Sequence, residues 1–173
     1  MINSTFLKAL RLEKNAVPPI WFMRQAGRYL PEYQKIRKGY KNFLDMCKQP
    51  RTCAELALQP IERFNLDASI LFSDILTIPD AFNLGLAFHE GEGPKFSNPI
   101  SSVQDISNLE HFKIEKLDYV FKAVEETKRI LPPTLPLIGF CGSPWTLAAY
   151  SIEGVARKTL RKQKNSWRRI QGR

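Results

Sequence analysis

Three short apolar runs punctuate the chain, each stopped by a charged residue or a turn, and stretches of helical period lie between them. The first is Pro18-Pro19-Ile20-Trp21-Phe22-Met23, stopped by Arg24. The second is Ala68-Ser69-Ile70-Leu71-Phe72-Ser73, stopped by Asp74. The third, Leu135-Pro136-Leu137-Ile138-Gly139-Phe140-Cys141, runs into Gly142-Ser143-Pro144. Continuous apolar runs of this length predict short buried strands. Ahead of the first, Asn3 or Ser4 can cap a short helix over Thr5–Leu10, with Phe6, Leu7 and Leu10 at helical spacing. Residues 33–37, ended by Gly39, and residues 42–47 predict two more short helices. Residues 52–64, opened by Pro50, form the clearest amphipathic helix, with Ala54, Leu56, Ala57, Leu58, Ile61 and Phe64 on its apolar side. Pro60 should bend or split that helix. Residues 75–84 read as a loop and short helix broken by Pro79, residues 86–99 as a hairpin-like excursion, and residues 106–109 as a turn. Residues 117–131 predict an amphipathic helix with Val120, Phe121, Val124 and Ile130 inward, stopped by Pro132-Pro133. A last helix is predicted over residues 145–153, with Pro144 near its first turn.

Strand followed by helix, repeated with long crossovers, predicts a parallel α/β architecture. Three strands are too few to close a parallel barrel of eight, so the pattern predicts the first part of a larger (β/α)8 fold. In such folds active sites gather at the carboxyl ends of strands. Arg24 and Arg28 lie just past the first run, with Gly27 letting the chain turn sharply between them, and Asp74 ends the second run. Guanidinium is planar, permanently charged and able to grip carboxylate or phosphate bidentately. The pair therefore reads as an anion-binding loop, and the plainer alternative is two surface arginines paired with local acids. Asp74 could equally be a helix N-cap, and Tyr150 a core tyrosine with a satisfied hydroxyl.

Composition narrows the function classes. The chain has 173 residues, 43% apolar and 11% aromatic, in keeping with a globular protein. No stretch is long and apolar enough to predict a membrane span, and the first residues do not read as a secretory signal. Cys47, Cys53 and Cys141 are spaced for neither a disulfide framework nor a metal site, and they read as reduced thiols of a cytoplasmic protein. The net charge of +9 would suggest a nucleic-acid partner, but residues 155–173 carry 8 Lys+Arg and no acid, while the remainder is nearly neutral. That distribution argues against a nucleic-acid-binding domain.

The wording of several segments is specific. Met23-Arg24-Gln25-Ala26-Gly27-Arg28-Tyr29-Leu30-Pro31 closely resembles the N-terminal signature of the uroporphyrinogen decarboxylases. Phe72-Ser73-Asp74-Ile75-Leu76 is similar to a second signature of that family. The stretch from Gly139 through Cys141-Gly142-Ser143-Pro144-Trp145 to Tyr150 is similar to a third, with small differences at Cys141 and Ser143. Residues 85–94 resemble the hairpin region before the third strand, and the resemblance runs from about residue 6 to 154, roughly the first half of a family member.

The resemblance implies a distorted (β/α)8 barrel, usually a homodimer, that removes carbon dioxide from the four acetates of uroporphyrinogen III to give coproporphyrinogen III. No metal and no organic cofactor is implied. Arg24 and Arg28 would bind substrate carboxylates, and Gln25, Ala26 and Gly27 would shape the substrate-binding loop. Asp74 would accept hydrogen bonds from the pyrrole N–H groups and stabilise a cationic intermediate. Tyr150 would hydrogen-bond near the reacting acetate. Neither membrane nor nucleic acid is an implied partner, and His89 and His111, outside the matched motifs, read as surface or structural residues.

After Gly154 the composition changes abruptly, to Val155-Ala156-Arg157-Lys158-Thr159-Leu160-Arg161-Lys162 and onward. With A-rich codons, the same nucleotides read one frame away can spell Ser-Lys-Lys-Asn-Phe-Lys-Lys, the kind of continuation the family would have. Residues 155–173 are therefore expected to be a frameshifted tail, with a deliberate basic tail as the rival. The rest of the barrel, with further substrate-binding residues, would then be missing, and the polypeptide is expected to be poorly stable and inactive alone. Two other readings stand beside this one: a corrinoid-linked methyltransferase of the same superfamily, and a non-catalytic remnant or a fragment that pairs with a separately encoded second half.

Overall fold

Helix starts follow local chemistry closely. In the computed structural model, which describes residues 4–89, 93–109 and 112–155, Ser4 caps α1 (Thr5–Leu10) through its hydroxyl, and Pro31 opens α2 (Pro31–Arg37). Asn42 caps α3 (Phe43–Cys47), and Pro50 opens α4 (Pro50–Arg63). α4 runs through Pro60 without splitting. Next come β1 (Ser69–Ile70), α5 (Thr77–Ala81), and the antiparallel hairpin of β2 (Leu86–His89) and β3 (Gly93–Phe96). α6 (Val103–Ser107), a 3-10 turn (Ile114–Leu117), α7 (Asp118–Ile130), β4 (Leu137–Ile138) and α8 (Pro144–Glu153) complete the order.

The chain divides into two units that alternate along the sequence. Met1–Ser73 and Asp118–Phe140 make the first; Asp74–Leu117 and Cys141–Arg173 make the second. In the first unit β1 and β4 pair in parallel, Ser69 opposite Leu137 and Ile70 opposite Ile138. α4 packs along α7. One core cluster joins Leu30, Tyr33, Met46 and Leu56, with Phe43 and Phe72 against it, and another joins Cys53, Leu71 and Ala123. In the second unit α5 packs on α8 and on the 3-10 turn, and the Phe96 and Ile100 amides donate to the Gly154 and Ser151 carbonyls.

Several expectations need correction. The run Pro18-Pro19-Ile20-Trp21-Phe22-Met23 is neither a strand nor buried: Ile20, Phe22 and Met23 are 54%, 59% and 73% exposed. Two prolines supply no donors, and the Ile20 amide goes to the Asp67 carboxylate at 2.8 Å instead of to a strand carbonyl. The other two runs keep only two strand residues each. The turn expected at residues 106–109 is half borne out: Ile106 and Ser107 end helix α6, which a capping box between Ser102 and Asp105 starts, and the turn follows at Asn108, with the Leu109 amide bonded to the Ile106 carbonyl. Pro79 lies inside α5 without breaking it. Phe121 points outward, 47% exposed, because the inward face of α7 centres on Ala123 and Thr127. Phe64 and Leu10, expected on apolar sides, are exposed as well. Asn3, Gly91, His111, the side chain of His89 and residues 156–173 lie outside what is described.

All three cysteines are free thiols. Cys53 is buried, donates to the Cys47 carbonyl at 3.2 Å, and has its pKa pushed up to about 12 by burial. Because the thiolate is the reactive form, Cys141, which is exposed, should react with a disulfide reagent at once. Cys47 and Cys53 should react only after denaturant is added; titrating native and unfolded protein counts the thiols in each class.

Candidate functional site

The arginine loop is built from its buried middle outward. Gln25 is 1% exposed, and its side-chain nitrogen donates to the Ala68 carbonyl at 2.7 Å, just before β1. Ala26 packs against the first core cluster. The Leu30 amide bonds the Gly27 carbonyl at 3.0 Å, closing a tight turn, and the Tyr29 hydroxyl donates back to the Gln25 carbonyl. Gly27 makes room for the Tyr29 ring and does not supply a left-handed backbone turn. Its φ is not in the left-handed region, but a Cβ there would sit 2.9 Å from Cε1 of Tyr29. Gln34 donates to the Arg28 carbonyl at 2.5 Å. Arg24 and Arg28 are both exposed, and among the described residues neither guanidinium is ion-paired. Among the described residues, then, no acid pairs with either arginine.

Tyr29 was not legible as a functional residue, because its contribution is a latch across four residues. Tyr29→Phe removes one hydrogen bond of about 1 kcal/mol, so the open loop should be roughly fivefold more populated. Trypsin cleavage after Arg24 and Arg28 should accelerate by that factor, relative to cleavage elsewhere, with the melting temperature nearly unchanged.

Asp74 and Tyr150 belong to the second unit. Asp74 follows the Phe72-Ser73 segment after β1, and one of its oxygens accepts from the Leu76 amide at 2.7 Å. That contact makes an Asx turn, not an N-cap, since α5 begins later with no side-chain cap. Burial holds the Asp74 carboxyl above its ordinary range; the Leu76 amide opposes this and the Asp80 charge adds to it. The Tyr150 side chain projects from α8 half-buried, and its hydroxyl has no hydrogen-bond partner among the described residues. α8 starts where Ser143 accepts from the Thr146 amide at 3.2 Å. Gly142 matters here too: a Cβ would meet Cδ2 of Leu147 at 2.5 Å and the Ile75 carbonyl at 3.2 Å. The loop leaving β4 thus lies against the residue following Asp74, with only a glycine's width between them. Among the described residues no three metal-ligating side chains gather.

In chemical terms, one unit offers two guanidiniums on a pinned loop, unpaired among the described residues, and the other a carboxyl made reluctant to ionise plus a phenol without a hydrogen-bond partner among them. Polyanion recognition and stabilisation of developing positive charge are what such groups do well.

Comparison with known proteins gives this arrangement its relatives. The family model for uroporphyrinogen decarboxylase matches residues 1–169. A uroporphyrinogen decarboxylase of Dichelobacter nodosus is 59% identical over 158 residues, which is 91% of this chain and 46% of that protein. The Legionella pneumophila protein of the same name is 53% identical over 161 residues, and that of Neisseria meningitidis 54% over 159. The chain spans about half the length of the curated relatives it matches. Among solved structures, a methyltransferase from Methanosarcina mazei superposes with a TM-score of 0.64 at 18% identity, covering 86% of this chain and 44% of that one. That likeness shows a shared fold. Sequence match, loop wording and fold together establish that this chain is a member of the uroporphyrinogen decarboxylase family.

Proposed function

We propose that this chain carries the first half of the substrate site of a cofactor-free decarboxylase acting on the acetate side chains of uroporphyrinogen III. What carries the reading is the match at 59% identity over a stretch containing Arg24, Arg28, Asp74 and Tyr150. Arg24 and Arg28 grip substrate carboxylates, Gln25, Ala26 and Gly27 hold the loop in shape, and Asp74 faces the pyrrole N–H groups. A pyrrole carbon beside the acetate takes up a proton, making the ring cationic. The bond to the carboxylate then breaks, carbon dioxide leaves, and the electron pair neutralises the ring as an exocyclic methylene. Protonation of that methylene and loss of the ring proton give a methyl group, so one proton is consumed per carbon dioxide. The Asp74 carboxylate stabilises the cation, and Tyr150 orients the reacting acetate.

The reading extends to a (β/α)8 barrel of which this chain supplies the first part, with β1 and β4 as its observed parallel strands, to a homodimer in the cytoplasm, and to a basic tail at residues 155–173 foreign to the fold. The family match to residue 169 overlaps that tail. The coding nucleotides test the frameshift directly, since codons incompatible with the shifted reading would sink it. Alone, the chain should be marginally stable and inactive; a soluble, monodisperse, cooperatively melting and active sample overturns that. The decisive assay joins residues 1–154 to the second half of the Dichelobacter nodosus relative and measures carbon dioxide release from uroporphyrinogen III. Activity of the joined protein supports the reading, and a folded but inert joined protein refutes it.

A further inference from the structure

We propose that the exposed basic face of α2, Lys35 and Lys38 with Lys41 beyond its end, draws the substrate in by its negative charge, so that uroporphyrinogen enters faster than its less carboxylated product. The inference rests on the decarboxylase reading. Charge is unevenly spread along the chain. Residues 24–51 hold eight Lys+Arg and two Asp+Glu, a net of +6, while the other residues up to 154 hold ten and fifteen, a net of −5. One of those two acids is already neutralised, since Glu32 makes a bidentate pair with Arg63 at 2.9 and 3.0 Å. Pro31, Gln34, Lys35 and Lys38 recur at helical spacing and are exposed, while Tyr33 and Ile36 face the first core cluster. On the exposed face the Gln34 side chain donates to the Arg28 carbonyl, so the arginine loop rests on the same side of the helix as Lys35 and Lys38. Lys38 is the C-cap of α2, and Lys41 is exposed three residues on. Among the described residues none of these lysines pairs with a carboxylate.

Lys38 stands about 6 Å along the helix axis from Gln34, inside the Debye length of about 10 Å at 0.1 M salt. Charges that close act as one field on an approaching anion, and such a field speeds association without fixed contacts. Flexible ammonium side chains suit that task, and the planar guanidiniums of Arg24 and Arg28 suit the grip that follows. Each decarboxylation removes one carboxylate, so the pull weakens step by step and is weakest on the final product. The same face therefore speeds entry of the substrate and does less to bring the product back.

The test follows association of uroporphyrin, the oxidised and fluorescent octacarboxylate, by stopped flow with the 173-residue chain and with the joined protein, which lacks residues 155–173. The triple variant Lys35→Glu, Lys38→Glu, Lys41→Glu brings the net of residues 24–51 from +6 to zero. It should slow association about tenfold or more at low salt and converge with the parent at about 1 M salt, where the Debye length is about 3 Å. Dissociation should change little, whereas Arg24→Ala should act mainly on dissociation. A control triple variant, Lys113→Glu, Lys122→Glu, Lys128→Glu, changes the total charge equally at exposed positions elsewhere, and should associate within about twofold of the parent. The parent should take up uroporphyrin faster than coproporphyrin, which has four carboxylates, and the first triple variant should lose most of that preference. Association indifferent to the first triple variant, equal slowing by both, no preference for the more carboxylated porphyrin, or no binding by either protein overturns the proposal. Faster capture of an oligodeoxythymidine of equal charge through the same lysines overturns it as well. Capture as expected, with no carbon dioxide released by the joined protein, leaves the basic face standing and removes the decarboxylase. Release whose kcat/KM at low salt ignores the first triple variant removes the basic face alone.

Discussion

Asp74→Asn in the joined protein should lower carbon dioxide release about 10²–10³-fold, the loss typical when one preorganised electrostatic group is removed. The same change should make the fold more stable at neutral pH. Burial raises the Asp74 pKa, so the folded state holds the proton more tightly than the unfolded chain does. Stability of the parent protein therefore falls as pH rises from the unfolded value of 3.8 through the raised folded value. Asn has no charge to desolvate, and its carbonyl can still accept from the Leu76 amide. The variant's advantage should be complete above the folded pKa and vanish below the unfolded one. Melting curves across pH, beside activity, separate a catalytic carboxylate from a structural one: a structural Asp74 would lose stability and activity together.

Removing a guanidinium from the loop should cost about 1.5–3 kcal/mol of transition-state binding, roughly 10- to 150-fold in kcat/KM, for Arg24→Ala or Arg28→Ala. Both side chains are exposed and unpaired among the described residues, so stability should change by no more than about 0.5 kcal/mol. Lysine at either position keeps the charge but loses the planar fork, and should recover only part of the loss. Rising salt should weaken the parent more than the alanine variants, because screening acts on charges that are still present. Activity unchanged in both alanine variants would return the two arginines to an ordinary solvated surface.

Which parts of this fold can be read from the chain depends on how local their causes are. Ser4, Asn42, Pro50 and Ser143 mark helix starts within a few residues of themselves, and those helices stand where the caps place them. α6 carried the same kind of signal in Ser102 and Asp105, but with five residues and only Val103 and Ile106 apolar it is too short for a periodicity to announce it. Strand content was overread because pairing is not local. The run ending at Met23 has strand composition, yet nothing nearby in sequence could say whether a partner lies beside it. On α7 the apolar period was right while its centre was displaced. Thr127 is fully buried because its hydroxyl donates to the Ala123 carbonyl at 2.6 Å, a bond invisible in the residue pattern. Arg24, Arg28, Asp74 and Tyr150 were legible through the wording of their motifs. The latch by Tyr29 and the close approach at Gly142 were not, since each is a matter of ångströms between atoms.

The interleaving of the two units also governs the order in which this molecule can assemble. β1 meets its partner β4 only after the whole of Asp74–Leu117 has been spanned, and α4 meets α7 across the same gap. The β2–β3 hairpin, by contrast, closes within a few residues. Contacts of long sequence separation form slowly, because chain entropy must be lost before they repay it. The hairpin is thus free to form early on the growing chain, while the first unit stays open until residue 138 is available. No single cut in the sequence can release either unit whole, so limited proteolysis should yield fragments that remain associated or unfold together.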